Sequence, residues 1–463
     1  MKRKEERELK KSEPKAILEF LKISNHFFSN FKEMLKNIKD PRRKNSVIYA
    51  IDEITAVLIL KCIFNIISMR EMTSEFNNDN CIENLGIIMG NDNLTEIPHY
   101  VTINDCLKKL DPAELENIRN KMIYALIRKR TFEDARLMGK YWCVIVDGTQ
   151  LFSFSERHCE HCMTRTVKDK EDEEGKTRYY HNALEAKIIL GDGLVVSLAT
   201  EFIENESASA SKQDCELKAF KRLQAKLKAS FPRLPICILA DSLYASKTFF
   251  DICEDNHWQY ILRFKDGSIP SVAEEFHSLK KWENAEFLNQ IIKIPQIDNR
   301  IKDESKKLKG YDVNEYKIKW VNDIDYKGIK LSVMECKAKE IEEEKTFLWI
   351  SNMKIKKNQA YEMMCYGRKR WGIENEGFNI QKNNRYDITH ANSLNYNAMK
   401  CHYLIIQIAD ILLQLYENGS EFVKILDKTI KNISSDLLKS FVEHTLTEED
   451  IFQTIGRMHY SIT

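Results

Sequence analysis

From residue 16 to about residue 136, apolar positions recur at helical spacing, most clearly over residues 16–34, 54–67 and 115–127. Asp111-Pro112 supplies a start signal for the last of these helices. The longest apolar stretch, residues 54–69, is interrupted by Lys61 and Asn65 and is too short to span a bilayer, so it predicts a buried helix. Residues 102–110 admit two readings, a small helical DNA-recognition unit or a plain core helix.

The period changes at Tyr141. Residues 141–146 form an apolar, β-rich run that ends in Asp147-Gly148, as a buried strand does on emerging at a sheet edge. Residues 186–190 and 194–199 flank Gly191-Asp192-Gly193, which predicts a hairpin, and the acidic run 169–174 predicts a solvated loop. A helix over 212–231, a strand over 236–240, a helix over 247–256 and a strand over 258–263 follow. Strands in antiparallel succession, then alternating helix and strand, predict an α/β core. Residues 316–321, 329–336 and 346–350 are again β-rich and predict an inserted sheet. Residues 366–382 return to helical spacing despite Gly372 and Gly377, and 397–416 predict a long apolar helix ended by Asn418-Gly419. At 463 residues the chain exceeds what one core supports. Its texture divides into a helical domain (1–136), a core in two parts (137–265 and 358–416), a β-rich insertion (266–357) and a helical tail (417–463).

Three carboxylates stand in settings that suit one metal site. Asp147 and Asp241 each close a short apolar strand, and Glu374 lies in the basic stretch 366–382. At α-helical spacing Tyr366, Arg370, Glu374, Phe378 and Lys382 share one slowly drifting face. Hard cations such as Mg²⁺ are held by a few carboxylates, and two such ions can activate an attacking hydroxyl and stabilise a leaving oxygen. Each acid taken alone also has a bland reading, as a turn residue for the two aspartates and as an i,i+4 partner of Arg370 for Glu374.

Composition changes this picture little. Lys plus Arg is 71 against 70 for Asp plus Glu, a net charge of +1, so bulk electrostatics do not announce a nucleic-acid partner. The distribution is uneven: residues 1–46 carry a net +7 (fourteen against seven) and residues 354–385 a net +5 (eight against three). These segments are either phosphate contacts or solvated faces. Arg368, Lys369 and Arg370 are the densest of the cations. Trp320 closes the alternating text 317–319 and is the better candidate for stacking on an unpaired base, whereas Trp349 sits in an apolar run; core packing is the alternative for both.

The twelve cysteines are mostly in apolar runs and, with no signal peptide in the text, fit reduced thiols in a cytosolic protein. One cluster differs. His158-Cys159-Glu160-His161-Cys162 combines Cys-x-x-Cys with two histidines, and His181 follows a Tyr-Tyr pair. Cys159 and Cys162 supply half of a tetrahedral Zn²⁺ site, which His158 and His181, or His161, complete; free thiols and redox chemistry are the alternatives.

Asp147-Gly148-Thr149, Leu239-Ala240-Asp241-Ser242-Leu243-Tyr244-Ala245 and Arg370-Trp371-Gly372-Ile373-Glu374-Asn375 resemble the three catalytic blocks of bacterial insertion-sequence transposases of the DDE class. The spacings, 94 residues from Asp147 to Asp241 and 133 from Asp241 to Glu374, leave room for the strand-rich insertion of the cut-and-paste group. The likeness runs from about residue 40 to 415 and includes Lys212-Gln213-Asp214-Cys215-Glu216, Gly377-Phe378-Asn379 and His390-Ala391-Asn392. One departure stands out: Tyr366 is four residues before Arg370 where the family usually has three, and Gln381 occupies the place of the family's Lys, with Lys382 next to it. The resemblance implies an α/β, ribonuclease H-like fold and a DNA endonuclease and strand transferase. In it Asp147, Asp241 and Glu374 hold two Mg²⁺ or Mn²⁺ ions, and Arg370, Tyr366 and Lys382 grip phosphates. It further implies double-stranded DNA, both element ends and target, as partner, end binding by the helical N-terminal domain, a homodimer on that DNA, and a cytoplasmic, nucleoid-associated protein without membrane contact. A metal-dependent nuclease that does not join, or a non-catalytic transposase-derived DNA-binding protein, are the alternatives.

Overall fold

The computed structural model describes residues 16–460, apart from 44, 46, 168–174, 211, 282–284, 298–307, 341–342, 427, 457 and 459. The basic start 1–14 and the acidic run 169–174 therefore lie outside the described residues. The chain divides into two compact units, one of Met1–Asp134, Gly148–Ser230 and Gly372–Thr463, the other of Ala135–Asp147 and Phe231–Trp371. Strand β1, Trp142–Phe154, gives its first half to the second unit and its later half to the first.

The first unit is mainly helical. Helices α1 (Ala16–Phe27), α2 (Phe31–Lys36), α3 (Ile51–Ile63), α4 (Met69–Phe76), α5 (Asp79–Met89), α6 (Tyr100–Leu107) and α7 (Pro112–Ile127) form its start. Asp111 caps α7 by accepting from the Ala113 N–H, with Pro112 in the first turn where its missing donor costs nothing. Strands β2 (Met163–Val167), β3 (Lys176–Gly191) and β4 (Leu194–Ile203) are antiparallel, β2 and β4 both pairing with β3. Gly193, at φ +73°, makes the tight β3–β4 turn where the Gly-Asp-Gly text predicts one. Helix α8, Glu216–Ser230, packs on β3 and β4.

The 24-residue helix that ends at Gly419 begins at Tyr396, where Asn395 accepts from the Ala398 N–H. It is apolar on every side because it is enclosed on every side, packed against α1, α3, α7 and β4. Gln414 on it donates to the Val195 carbonyl at 3.0 Å and accepts from the Val195 N–H at 2.9 Å, which satisfies a β4 backbone unit. It is long and apolar enough to cross a membrane, and its most apolar window is 94% buried in the protein.

In the second unit the first half of β1 pairs in parallel with β5 (Ile236–Ala240), and β5 in parallel with β6 (Gln259–Arg263). Helix α9, Lys247–Asp255, connects β5 to β6. Strand β10 (Glu343–Ser351) continues the sheet antiparallel to β6, followed by β9 (Ile329–Glu340), β8 (Leu308–Tyr326) and β7 (Glu286–Ile297), all antiparallel. Helix α10, Pro270–Lys281, packs on β8. Helix α11, Ala360–Arg368, then leads into a 3₁₀ turn, Lys369–Trp371.

Candidate active site

The parallel pairing of β1 with β5 sets Trp142 opposite Ile236 and Ile145 opposite Leu239, an offset of 94 residues. Carried two residues further, that register makes Asp147 level with Asp241. The strands behind them are fully buried from Cys143 to Val146 and from Ile236 to Ala240, so both carboxylates leave a rigid support as the chain becomes half-exposed. Neighbouring strands lie about 4.8 Å apart and level residues of a parallel pair face the same side, which puts the two acids within bridging reach. Asp241 Oδ1 also accepts the Leu243 N–H at 2.8 Å and so caps the following turn.

The register of β5 with β6, Ala240 opposite Leu262, extends the row by one more position. Arg263 stands there, level with Asp241. Its guanidinium donates to the Leu348 and Thr346 carbonyls and lies over the Phe347 and Trp349 rings, and burial, then the nearby Arg370, hold its pKa below the usual arginine range. Sequence reasoning had Arg263 only as the end of a strand; the signal was present, a charged residue closing an apolar run as Asp147 and Asp241 do. Arg370, in the 3₁₀ turn, places Nη1 3.4 Å from Asp147 Oδ2.

Tyr366 does not share that exposed setting. It is buried, its hydroxyl donates to the Ala135 carbonyl at 2.8 Å, and Lys369 covers its ring. The helical stretch is not uniform: α-helix to Arg368, a 3₁₀ turn to Trp371, then π-helical turns over Ile373–Phe378 and Ile380–Asn384. Residues four apart stack on one face only at 3.6 residues per turn, so the single face expected from Tyr366 to Lys382 does not form. Arg368 is engaged by Glu340, with Nη2 to Oε2 at 3.0 Å, and lies against Tyr316 and Phe347; its charge is spent inside the protein. Trp320 is wholly buried, so its face is closed to a base and its role is packing. Among the described residues the half-exposed indole is Trp371, with the Arg370 guanidinium 4.9 Å above its ring.

Glu374 belongs to the first unit, exposed near the start of the first π-helical segment, a backbone form found mostly as short bulges at functional sites. In the second such segment Gln381, at the family's lysine position, is fully buried. It donates to Gln407 Oε1 at 3.1 Å and Asp410 Oδ2 at 2.8 Å. Lys382 is half-exposed beside Phe378, so of the two neighbours only Lys382 can meet a ligand. Glu216, the first residue of α8, fills the space over Gly148: a Cβ there would be 2.4 Å from Glu216 Oε1.

The Cys/His text also converges, within the first unit. The donor atoms of His158, Cys159, Cys162 and His181 all lie within 4.8 Å of one another. Burial pushes the Cys159 thiol up to about 12 and, with His158 and Lys400 nearby, holds His181 down to about 3. His161 is not part of the group; its Nδ1 donates to the Asn205 carbonyl at 2.8 Å. All twelve cysteines are free thiols.

The sequence profile of the transposase DDE domain matches residues 138–411, more than half of the chain. No curated protein matches it.

Proposed function

Because this chain belongs to the transposase DDE-domain family, and is a DNA-acting transposase on that ground, we propose that it cuts DNA at the ends of a bacterial insertion sequence and joins the freed ends to target DNA. The observation that carries this reading is the row Asp147, Asp241, Arg263 across three adjacent parallel strands, with Arg370 on Asp147. The hairpin β3–β4 and the parallel succession β1, β5, β6 support a ribonuclease H-like core. Two half-exposed carboxylates on a rigid edge form an all-oxygen donor set that suits Mg²⁺ or Mn²⁺ and offers nothing to soft metals. Glu374 is assigned as the third ligand by its block, Arg370-Trp371-Gly372-Ile373-Glu374-Asn375. Divalent ions bound there supply activation of the attacking hydroxyl and stabilisation of the leaving oxygen.

The chain's own residues position the DNA. Arg370, beside Asp147, would present its fork to the phosphate next to the cleaved bond. Arg263 adds positive charge at the same edge, and Lys382 contacts phosphate from its own helix. The strand edge keeps the two aspartates from moving apart as substrate enters. The active form on DNA is a homodimer, since both ends must be cut together, and the protein acts on DNA in the cytoplasm.

The experiment is cleavage of a DNA fragment carrying the element's end, with Mg²⁺ and a gel-shift control. Asp147→Asn, Asp241→Asn and Glu374→Gln should each abolish cleavage while binding persists. Retained cleavage in any one removes that residue from the site. Pre-cut ends then separate transposase from plain nuclease: joined product supports the proposal, and cleavage without joining supports the nuclease.

A further inference from the structure

His158, Cys159, Cys162 and His181 have no part in the reaction above, yet their donor atoms converge on one point. We propose that they hold a structural zinc ion. The separations among Cys159 Sγ, Cys162 Sγ and His181 Nε2 are 3.5 Å between the sulfurs and 3.4 and 3.6 Å from each sulfur to the nitrogen. A tetrahedron with zinc–sulfur bonds of about 2.3 Å and zinc–nitrogen bonds of about 2.0–2.1 Å has edges of about 3.8 Å and about 3.6 Å for the same pairs. Three corners are therefore set to within a few tenths of an ångström. His158 lies within the same 4.8 Å limit as the fourth. Both of its ring nitrogens are buried; the Leu394 backbone pairs with at most one of them, and a metal bond satisfies the other.

The fold explains the convergence. The β2–β3 ladder pairs Met163 with Tyr180, so one step back along β2 sets Cys162 against His181. Asn205 donates to the Cys162 carbonyl at 3.1 Å and accepts the Asp214 N–H at 3.1 Å, which holds the Cys-x-x-Cys turn from behind. The His181 ring is stacked on Tyr396, 4.0 Å between centroids, which fixes its plane.

Charge and donor type select the metal. Two thiolates and one divalent cation sum to zero, which allows the cluster to sit where Cys162 and His181 are completely buried. Sulfur and imidazole donors favour zinc over magnesium, and four protein ligands leave no open position for water, so the ion clamps the β1–β2 connection to β3 and takes no part in catalysis. The proposal stands whether or not the cutting reaction is as described, because its test reads metal content.

The full chain, purified and dialysed against metal-free buffer, is assayed for zinc by mass spectrometry. One ion per chain is expected, lost in Cys159→Ser and Cys162→Ser and kept in Cys215→Ser, whose thiol is exposed. Cobalt substitution of the wild type should give the visible bands of a tetrahedral ion with thiolate charge transfer, and a strong chelator should lower the wild-type melting temperature. The cobalt and chelator arms need no variant to fold. Wild-type protein without zinc and without the cobalt bands overturns the proposal, as does a Cys159–Cys162 disulfide in freshly purified protein or zinc content unchanged in the double serine variant.

Discussion

The guanidinium of Arg370 lies 3.4 Å from the carboxylate of Asp147, across 223 residues of chain. Only 12% of the arginine side chain and 26% of the aspartate's are exposed, so the pair is shielded from bulk water more than a surface ion pair is. Under the proposed function it joins a phosphate-gripping arginine to an acid that holds the metal. A charge-assisted hydrogen bond to phosphate contributes about 1.5–3 kcal/mol, or a factor of about 10–150 in rate. Arg370→Ala should lower single-turnover cleavage by that factor, and Arg370→Lys, which keeps charge but loses the fork, by less. An unchanged rate in Arg370→Ala would remove it from the reaction.

Trp371 should take the stacking role that sequence texture offers to Trp320. Trp371, 49% exposed, is available to stack on a base at the cut site; Trp371→Ala should weaken binding to DNA with an unpaired flank by about 1–3 kcal/mol and leave the denaturation midpoint nearly unmoved. Trp320→Ala should instead cost about 3–5 kcal/mol of stability. Gel shifts and urea titrations on the two variants separate the effects.

Gly148 follows the first aspartate because Glu216 leaves no room for a side chain there. Gly148→Ala puts a methyl group 2.4 Å from Glu216 Oε1 and 2.6 Å from its Cδ, so the glutamate must move. The expected loss is about 1–3 kcal/mol, with part recovered in Gly148→Ala combined with Glu216→Ala. Thermal melts of the single and double variants test this, and an additive second loss would contradict it.

His402 predicts an acid sensitivity. Burial, then the charge of Lys61 and of His390, hold its pKa well below 6.5; Lys61 Nζ is 3.4 Å from its Nε2. The folded protein therefore keeps this imidazole neutral while the unfolded chain takes up a proton below about pH 6.5. Stability from this residue is present above that pH and falls as pH drops through it, by about 1.4 kcal/mol for each unit. Urea midpoints at pH 7.5 and 5.5 should fall further in the wild type than in His402→Gln; equal falls would locate the sensitivity elsewhere.

Much of this was legible in the chain text. The β3–β4 hairpin, the strand that ends at Ala240, the start of α7 at Pro112 and the apolar helix from Tyr396 all follow local rules of period, turn and cap. Asp241 was readable as a strand end for the same reason, whereas β1 does not close at Asp147 as its text suggests but runs on to Phe154. Arg263 was readable only in principle, since its position becomes meaningful once β6 is known to lie beside β5. The surroundings of Tyr366, Arg368 and Trp320 were not readable, because residue type and spacing do not reveal what packs against a side chain. Tyr366 meets the Ala135 carbonyl, Arg368 meets Glu340 and Trp320 meets the interior of the sheet.

What the order of residues determined by itself was the kind of element at each place and the chemistry on offer: acids after apolar runs, a basic stretch around Glu374, thiols and imidazoles in one short segment. Tertiary structure decided which of these meet. The 94-residue offset of β1 and β5 that levels the two aspartates, the β2–β3 register that sets Cys162 on His181, and the inward turn of Gln381 beside an outward Lys382 each depend on strand pairing or burial summed over distant contacts. Periodicity is a property of a dozen neighbouring residues, whereas register and partner choice are free-energy differences between whole arrangements of the chain.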